Sequence, residues 1–303
     1  MSLPLSVVIL TKNEAAHIRD CIQSAAWAEE ILVVDDDSTD ETVRIAEAAG
    51  ATVLRRTMDN EGRHRNWAYA QAKHLWVLSL DADERVTPEL AEEIRSHLRS
   101  DPPWNGAEIP IRNYLGTHWL RYGGWYPAEK LRLFRRDRFR YEEALVHPRA
   151  FMPEPEGCLT YPIIHYGYRD FEECFEKLNR HTTFEARKWF EEGRRLSLFE
   201  ALRKTVDRFL RAWVRKQGWR EGFIGFVMAF YQGWYQWLSF LKHWELTQTQ
   251  PRLGPPAELG VQVRPDASPR PSPACFALRS KACGARRSGL APPSLRSGDR
   301  ARS

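Results

Sequence analysis

Two aspartates one residue apart close a short apolar run at residues 76–84, WVLSLDADE. In an extended chain residues two apart face the same way, so Asp81 and Asp83 are spaced to share a ligand. The ligand that suits them is a hard divalent cation: Mg²⁺ or Mn²⁺ takes one or two carboxylates and fills its shell with water and phosphate oxygens. Taken alone, the pair also reads as a solvated acidic turn before a helix. Two more polar clusters end apolar runs upstream, Thr11-Lys12-Asn13-Glu14 after LSVVIL and Asp35-Asp36-Asp37-Ser38-Thr39-Asp40 after EILVV.

Periodicity supplies the elements that hold these clusters. Residues 5–10, 30–34, 52–55 and the run from Trp76 read as strands, and residues 15–27, 41–49 and 63–74 as helices. Asp40 or Thr39 caps the second helix, Gly50 ends it, and Thr87-Pro88 opens another. Strands alternating with helices predict an α/β fold, a Rossmann-like, mostly parallel sheet with helices on both faces. Ligands of such sheets sit outside the C-terminal strand ends. All three polar clusters fall there, which predicts a nucleotide-binding crevice. Residues 1–103 form that half. Residues 104–197 read as a mixed, irregular half that closes over the nucleotide and receives a second substrate. Helical runs follow at 171–195 and 198–246.

The formal charge of +5 belongs to the tail. From Pro251 onward there are ten Lys/Arg and three Asp/Glu, which leaves 35 basic against 37 acidic residues in the first 250. A nearly neutral main domain argues against a nucleic-acid partner. Five scattered cysteines with no CxxC read as reduced thiols. No basic segment followed by a long apolar core opens the chain, so no signal peptide is expected. Residues 222–241 carry no charge and are flanked by basic residues, and the segment before them is amphipathic, with Phe209, Leu210, Trp213 and Val214 among arginines. Residues 198–246 read as a helix lying in a membrane interface, with packing on the domain and a true span as the other readings. Residues 247–303 are Pro-, Ser- and Arg-rich and read as a disordered tail.

Together these motifs resemble the family 2 glycosyltransferases of GT-A fold. The resemblance rests on the TKNE start, VVDDDSTDET at 33–42, Arg65-Asn66, LDADE at 80–84, Arg132-Leu133-Phe134-Arg135, Val146-His147-Pro148 and GWREGFIG at 218–225. The likeness is greatest to the lipopolysaccharide-core and cell-envelope glucosyltransferase branch. It implies an inverting, metal-dependent enzyme that moves a sugar from a nucleotide diphosphate donor, UDP-linked, to a lipid-borne or envelope glycan acceptor. Such an enzyme is expected in the cytoplasm, peripheral on the inner face of the membrane. Thr11, Asn13, Glu14, Asp35 and Asp36 would contact the nucleotide, and Asp37 stands where the family has glycine. Arg65 would approach the diphosphate or the sugar. Asp81 would hold the sugar–ribose side and Asp83 the metal, with His147 and His165 as further metal or diphosphate contacts. Arg132 and Trp125 would meet diphosphate or sugar.

The reaction needs a base for the acceptor hydroxyl, and Glu143 or Glu142 is the candidate. Many relatives carry Glu directly after the histidine, where this chain has Pro148. A haloacid-dehalogenase-type phosphatase would want Thr or Val at Arg85 and the DxD on the first strand. A sugar-1-phosphate nucleotidyltransferase would want a glycine-rich loop where TKNE stands. A membrane-surface scaffold that has lost catalysis is the alternative of another class.

Overall fold

A computed structural model describes residues 4–144 and 148–249. Contacts divide the chain into Met1–Arg252 and Leu253–Ser303, and the described residues all lie in the first unit. His147 and the tail beyond Thr249 lie outside them.

The first half alternates as expected: β1 (Leu5–Thr11), α1 (Ile18–Ser24), β2 (Glu30–Asp35), α2 (Thr42–Ala48), β3 (Thr52–Arg55), α3 (Glu61–Ala70) and β4 (Trp76–Asp81). The strands lie in the order β3-β2-β1-β4, all parallel. Side-chain alternation splits the apolar residues of β1 between two layers. Leu5, Val7 and Ile9 pack with Ile18 of α1, Ala46 of α2 and Ile94 of α4 (Pro88–Arg99). Val8 packs on the other face, with Ala68 and Tyr69 of α3. Local chemistry sets the ends. Asn60 caps α3 by accepting from Arg63 N–H at 3.0 Å. Thr87 caps α4 at 3.2 Å, with Pro88 in its first turn. Gly50, at φ +86°, follows α2.

The apolar run that ends in DADE is not one strand. β4 stops at Asp81, residues 82–83 turn, and β5 (Glu84–Val86) leaves to pair with a distant strand. The relative orientation of Asp81 and Asp83 is therefore set by a turn and not by strand alternation. Beyond β4 the sheet continues through β6 (Gly106–Leu115), β8 (Ala128–Arg135) and β12 (Ile163–Tyr168) in the order β4-β8-β6-β12-β5. The β4–β8, β8–β6 and β12–β5 pairings are antiparallel, and β6–β12 is parallel. The mostly parallel character holds for the first four strands, and the second half is mixed. Short strands β7 (His118–Trp119) and β11 (Glu156–Cys158) flank β6, and β9 (Arg140–Tyr141) pairs with β10 (Ala150–Phe151).

Three long helices end the described chain: α5 (Phe171–Glu191), α6 (Leu198–Leu210) and α7 (Gly222–Thr249). The last runs through Thr249, so residues 247–249 extend a helix where the sequence predicted the tail. The predicted single run over 198–246 is broken at residues 211–221. A π turn (Arg211–Arg215) leads to Gln217 at φ +57°, a 3₁₀ turn (Gly218–Glu221) and Gly222 at φ +60°. Cys174, Leu178, Met228 and Tyr231 seat α5 and α7 on Leu115 and Leu120. Ala201 of α6 packs with Trp189 and Phe240. The outward faces are apolar. Leu198, Phe199, Leu202, Val206, Leu210 and Val214 stand exposed along α6 and the π turn, as do Phe223, Phe226, Phe230 and Trp234 along α7. Met228, Ala229, Tyr231 and Gln236 of the same α7 are buried. Among the described residues, no helix is long and apolar enough to cross a membrane.

Candidate active site

The C-terminal ends of β1, β2 and β4 meet at one rim. The two loops after β1 and β2 are clasped together. Asn13, at φ +55°, donates its backbone N–H to Ser38 Oγ at 2.8 Å and accepts from Thr39 N–H at 2.8 Å. Asp40 accepts from Ala15 N–H and Thr42 N–H. Asp36 accepts from Met58 N–H at 2.7 Å and pairs with Lys12 at 3.0 Å. Asp37, at φ +50°, accepts the Thr57 hydroxyl. The residue at that position must adopt a left-handed backbone, which glycine does freely and Asp tolerates. This accounts for the departure noted in the sequence.

Inside this clasp lie Thr11 and Asp35, aligned opposite each other on the parallel strands. Both are buried, and both keep a polar atom without a partner, Thr11 Oγ1 and Asp35 Oδ1. Asp35's other oxygen accepts from Ser38 N–H at 2.9 Å. Buried polar atoms are nearly always bonded, so two adjacent orphans mark a place where a ligand's polar edge belongs.

A charge cluster sits at the end of β4. Asp81 Oδ1 lies 3.3 Å from Arg65 and its Oδ2 lies 2.7 Å from Arg132. Arg132 also meets Glu84 at 2.5 Å, and Glu84, fully buried, accepts from Asp81 N–H at 3.0 Å. Burial would raise the Asp81 pKa, but the Arg132 and Arg65 guanidiniums hold its carboxyl well below the usual carboxylate range. Arg65 Nη1 and Arg132 Nε are buried without partners. These are two cationic donors left over in a compensated cluster, as an anionic ligand would require.

Asp83 belongs to a different pair. His165 Nε2 lies 3.3 Å from its carboxylate, and His165 Nδ1 bonds Asn113 Oδ1 at 2.8 Å. Asn113 thereby fixes the ring with Nδ1 as donor and turns Nε2 toward Asp83, the arrangement in which an outer partner orients a metal-binding imidazole. Burial opposes the charged imidazole, yet the Asp83 hydrogen bond and charge prevail and raise the His165 pKa. One carboxylate and one imidazole, with positions open to water and phosphate, fit a Mn²⁺- or Mg²⁺-type ion. Both oxygens of Asp81, the other expected ligand, are engaged by guanidiniums. Among the described residues no three His, Cys, Asp or Glu side chains form a closed cage.

Glu14, the last residue of the first polar cluster, feels the charge of Asp83. Burial, and next the Asp83 charge, push its carboxyl up to about 7. Glu143 pairs with Arg63 at 3.1 Å at the exposed start of α3, and Glu142 lies 3.9 Å from Arg149. This segment docks closely on α3, because a Cβ on Gly62 would stand 1.8 Å from the Glu142 carbonyl oxygen. The Trp125 ring packs among Tyr168 and Tyr231, each about 6.2 Å away. Trp119 is the indole that borders an open cavity.

The profile of glycosyl transferase family 2 matches residues 6–152. The lipopolysaccharide core biosynthesis glycosyltransferase LpsC of Rhizobium meliloti is 28% identical over 249 residues, 79% of this chain and 92% of that one. Residues 6–152 form a family 2 glycosyltransferase domain. An uncharacterized glycosyltransferase of Rickettsia prowazekii is 27% identical over 237 residues, 74% of this chain and 80% of the relative. Among solved structures, Staphylococcus aureus TarS 1–349 is 16% identical and covers 82% of this chain and 92% of its own, with a TM-score of 0.43. As a glycosyltransferase the chain is an enzyme, and its α/β sheet with helices packed on both faces is the fold class the sequence predicts.

Three residues of this site escape sequence reasoning: Lys12, Glu84 and Asn113. An arginine inside the apolar LRLF strand calls for a buried carboxylate, and Glu84 at the start of β5 supplies it. Asn113 carries no local signal at all.

Proposed function

We propose that this glycosyltransferase moves a sugar from a nucleotide diphosphate donor, UDP-linked, to a lipid-borne envelope glycan such as lipopolysaccharide core, with inversion at the anomeric carbon. The observation that carries the reading is the row of orphaned polar atoms. Thr11 and Asp35 offer an acceptor edge for the nucleoside, and Arg65 and Arg132 offer cationic donors for the diphosphate. A divalent cation would be held by Asp83 and His165 between them. The chemistry it supplies when bound is neutralisation of charge on the leaving diphosphate.

This chain's own residues do the rest. Glu143, or its neighbour Glu142, takes the proton of the acceptor hydroxyl. The acceptor oxygen then bonds to the anomeric carbon as the bond from that carbon to the diphosphate breaks, and the electron pair leaves on the diphosphate. Arg65 and Arg132 meet the growing charge in a buried site, where such contacts are strong and pre-oriented.

The acceptor's lipid anchor has a counterpart in the helical end of the chain. The exposed apolar rows of α6 and α7 are flanked by exposed Arg203, Arg211, Arg215 and Lys216. Apolar side chains bordered by cations suit the surface of an anionic bilayer. In this reading the enzyme lies on the cytoplasmic face of the membrane and meets its acceptor there.

The test is a thermal-shift screen against UDP, GDP, CDP and TDP with and without Mn²⁺. We expect one nucleotide, UDP, to raise the melting temperature in a metal-dependent way, by mass action on the native state. We expect Asp83→Ala to remove that shift and to lower transfer by roughly 10²–10³-fold. Metal-dependent UDP binding that survives Asp83→Ala would sink the assignment of the metal.

A further inference from the structure

The GWREGFIG segment plays no part in the donor site, yet its geometry is tightly defined. Gly218 lies where a Cβ would stand 2.8 Å from the Ala212 carbonyl oxygen, and Gly225 where one would stand 1.9 Å from the Gly218 carbonyl oxygen. With Gly222 at φ +60°, these glycines fold the 3₁₀ turn so that Arg220 and Glu221 project against the loop after β7. Glu221 clasps that loop. It accepts from Arg121 N–H at 2.7 Å and Tyr122 N–H at 3.0 Å, and its other oxygen meets His118 Nε2 at 2.7 Å. Its side chain is buried and its charge is fully engaged.

The clasp closes one side of a cavity of about 520 Å³, bordered by Tyr114, Trp119, Arg121, Tyr122, Arg220 and Glu221. Its walls are aromatic rings and guanidiniums. Arg121 lies 4.5 Å above the Trp119 ring, whose other guanidinium neighbour, Arg112, lies 4.3 Å away. Arg220 lies 4.4 Å from the Tyr122 ring and is held by Gln217 at 3.0 Å. Among the described residues no ion pair engages Arg121 or Arg220. Aromatic faces receive the C–H surface of a sugar ring, and unpaired guanidiniums receive a phosphate or carboxylate. The one carboxylate in the wall is already committed to the clasp.

One wall of the cavity is linked to the turn that carries Asp83. The Tyr114 ring lies 5.5 Å from Tyr166, whose backbone N–H bonds the Asp83 carbonyl at 3.0 Å. Asn113, one residue before Tyr114, orients His165 and donates to the Trp125 carbonyl of the same loop at 2.8 Å. A ring seated in the cavity is therefore coupled through single contacts to the turn that carries Asp83.

We propose that this cavity is the acceptor subsite, and that it takes a saccharide bearing an anionic substituent, phosphate or carboxylate. This rests on the transfer reaction proposed above. The test uses the full chain at fixed ionic strength and follows binding by calorimetry with glucose 6-phosphate, glucuronic acid, glucose and inorganic phosphate. We expect the sugar phosphate or the uronic acid to bind at least about tenfold more tightly than both glucose and inorganic phosphate. Arg121→Gln with Arg220→Gln should erase that advantage, while the UDP thermal shift stays as in the parent chain. Added UDP should not displace the sugar. Equal binding of glucose, equal binding of inorganic phosphate, insensitivity to the two substitutions, or displacement by UDP would each overturn the proposal. Failure of the transfer reading reads out separately, as the absence of any nucleotide shift in the parent chain. Because both arginines are exposed, the paired variant should fold, and an unchanged melting temperature checks that it does.

Discussion

At the rim of β1, β2 and β4, polar atoms are buried without partners; along α6 and α7, large apolar side chains stand in water. The two regions break the ordinary sorting of side chains in opposite directions. Thr11 Oγ1, Asp35 Oδ1, Arg65 Nη1 and Arg132 Nε lack what a polar ligand would give them. Phe199 and Phe223, each 75% exposed, lack what an apolar phase would give them. The loops of the rim are clasped to one another through Asn13, Asp36 and Asp40, so a ligand that met these orphans would meet them in defined positions. The helical face is a set of apolar side chains in rows along α6 and α7. The contrast separates polar atoms that lack a partner from apolar side chains that lack cover.

The sharpest way to break the comparison is at the charge cluster. Arg132→Leu leaves Glu84 fully buried and Asp81 partly buried with one compensating cation removed, and should destabilise the fold by about 3–5 kcal/mol in urea unfolding. A loss under about 1 kcal/mol would mean that the cluster is open to water and its orphans are ordinary. On the helical face, Phe199→Ser with Phe223→Ser should weaken sedimentation with anionic phospholipid vesicles by roughly 10²-fold, each ring contributing about 1.5–3 kcal/mol when buried. Its stability should change by less than about 0.5 kcal/mol, since both rings are at the surface. Unchanged vesicle binding would remove the attachment role.

Glu14 sharpens the rim itself. Its carboxyl is pushed up to about 7 by burial and then by Asp83. The folded state therefore holds this proton more tightly than the unfolded chain does. Stability from this group is present at pH 4 and is lost as pH rises through 7. Glu14→Gln should match the parent near pH 4.5 and exceed it by about 1 kcal/mol at pH 8, after allowance for partial exposure. A constant difference across that range would refute the strained carboxylate. The smallest effect is expected at Asp37. Asp37→Gly should alter stability by less than about 0.5 kcal/mol, while Asp37→Val should cost about 1–2 kcal/mol, because a β-branched residue resists positive φ. Equal tolerance of both would show that the turn does not depend on its left-handed residue.

Much of the rim is legible in the sequence, because its signals are local. Thr11, Asn13, Glu14, Asp35, Asp36, Arg65, Asp81, Asp83, Arg132 and His165 lie where strand ends and short motifs placed them. Other readings failed for the same physical reason that these worked. Strand alternation was extended through Asp83, but the β5–β12 pairing, made with residues about 80 positions away, pulls the chain into a turn after Asp81. Trp125, proposed to stack on a sugar, packs one side against Tyr168 and Tyr231, contacts that no nearby residue announces.

What the sequence determined by itself is what adjacent residues decide among themselves. That covers the α/β alternation, the caps at Thr87 and Gly50, the polar ends of the strands and the apolar rows of α6 and α7. Helical and extended periods and turn chemistry act over a few residues, so a reader of the chain can follow them. The tertiary structure alone decided the partnerships. It joined Arg132 to Asp81 and Glu84, Asn113 to His165, and Glu221 to the loop after β7. Each joins residues about 50 or 100 positions apart. Such contacts exist only after the sheet order has brought distant strands side by side, and nothing in the local pattern of either partner names the other.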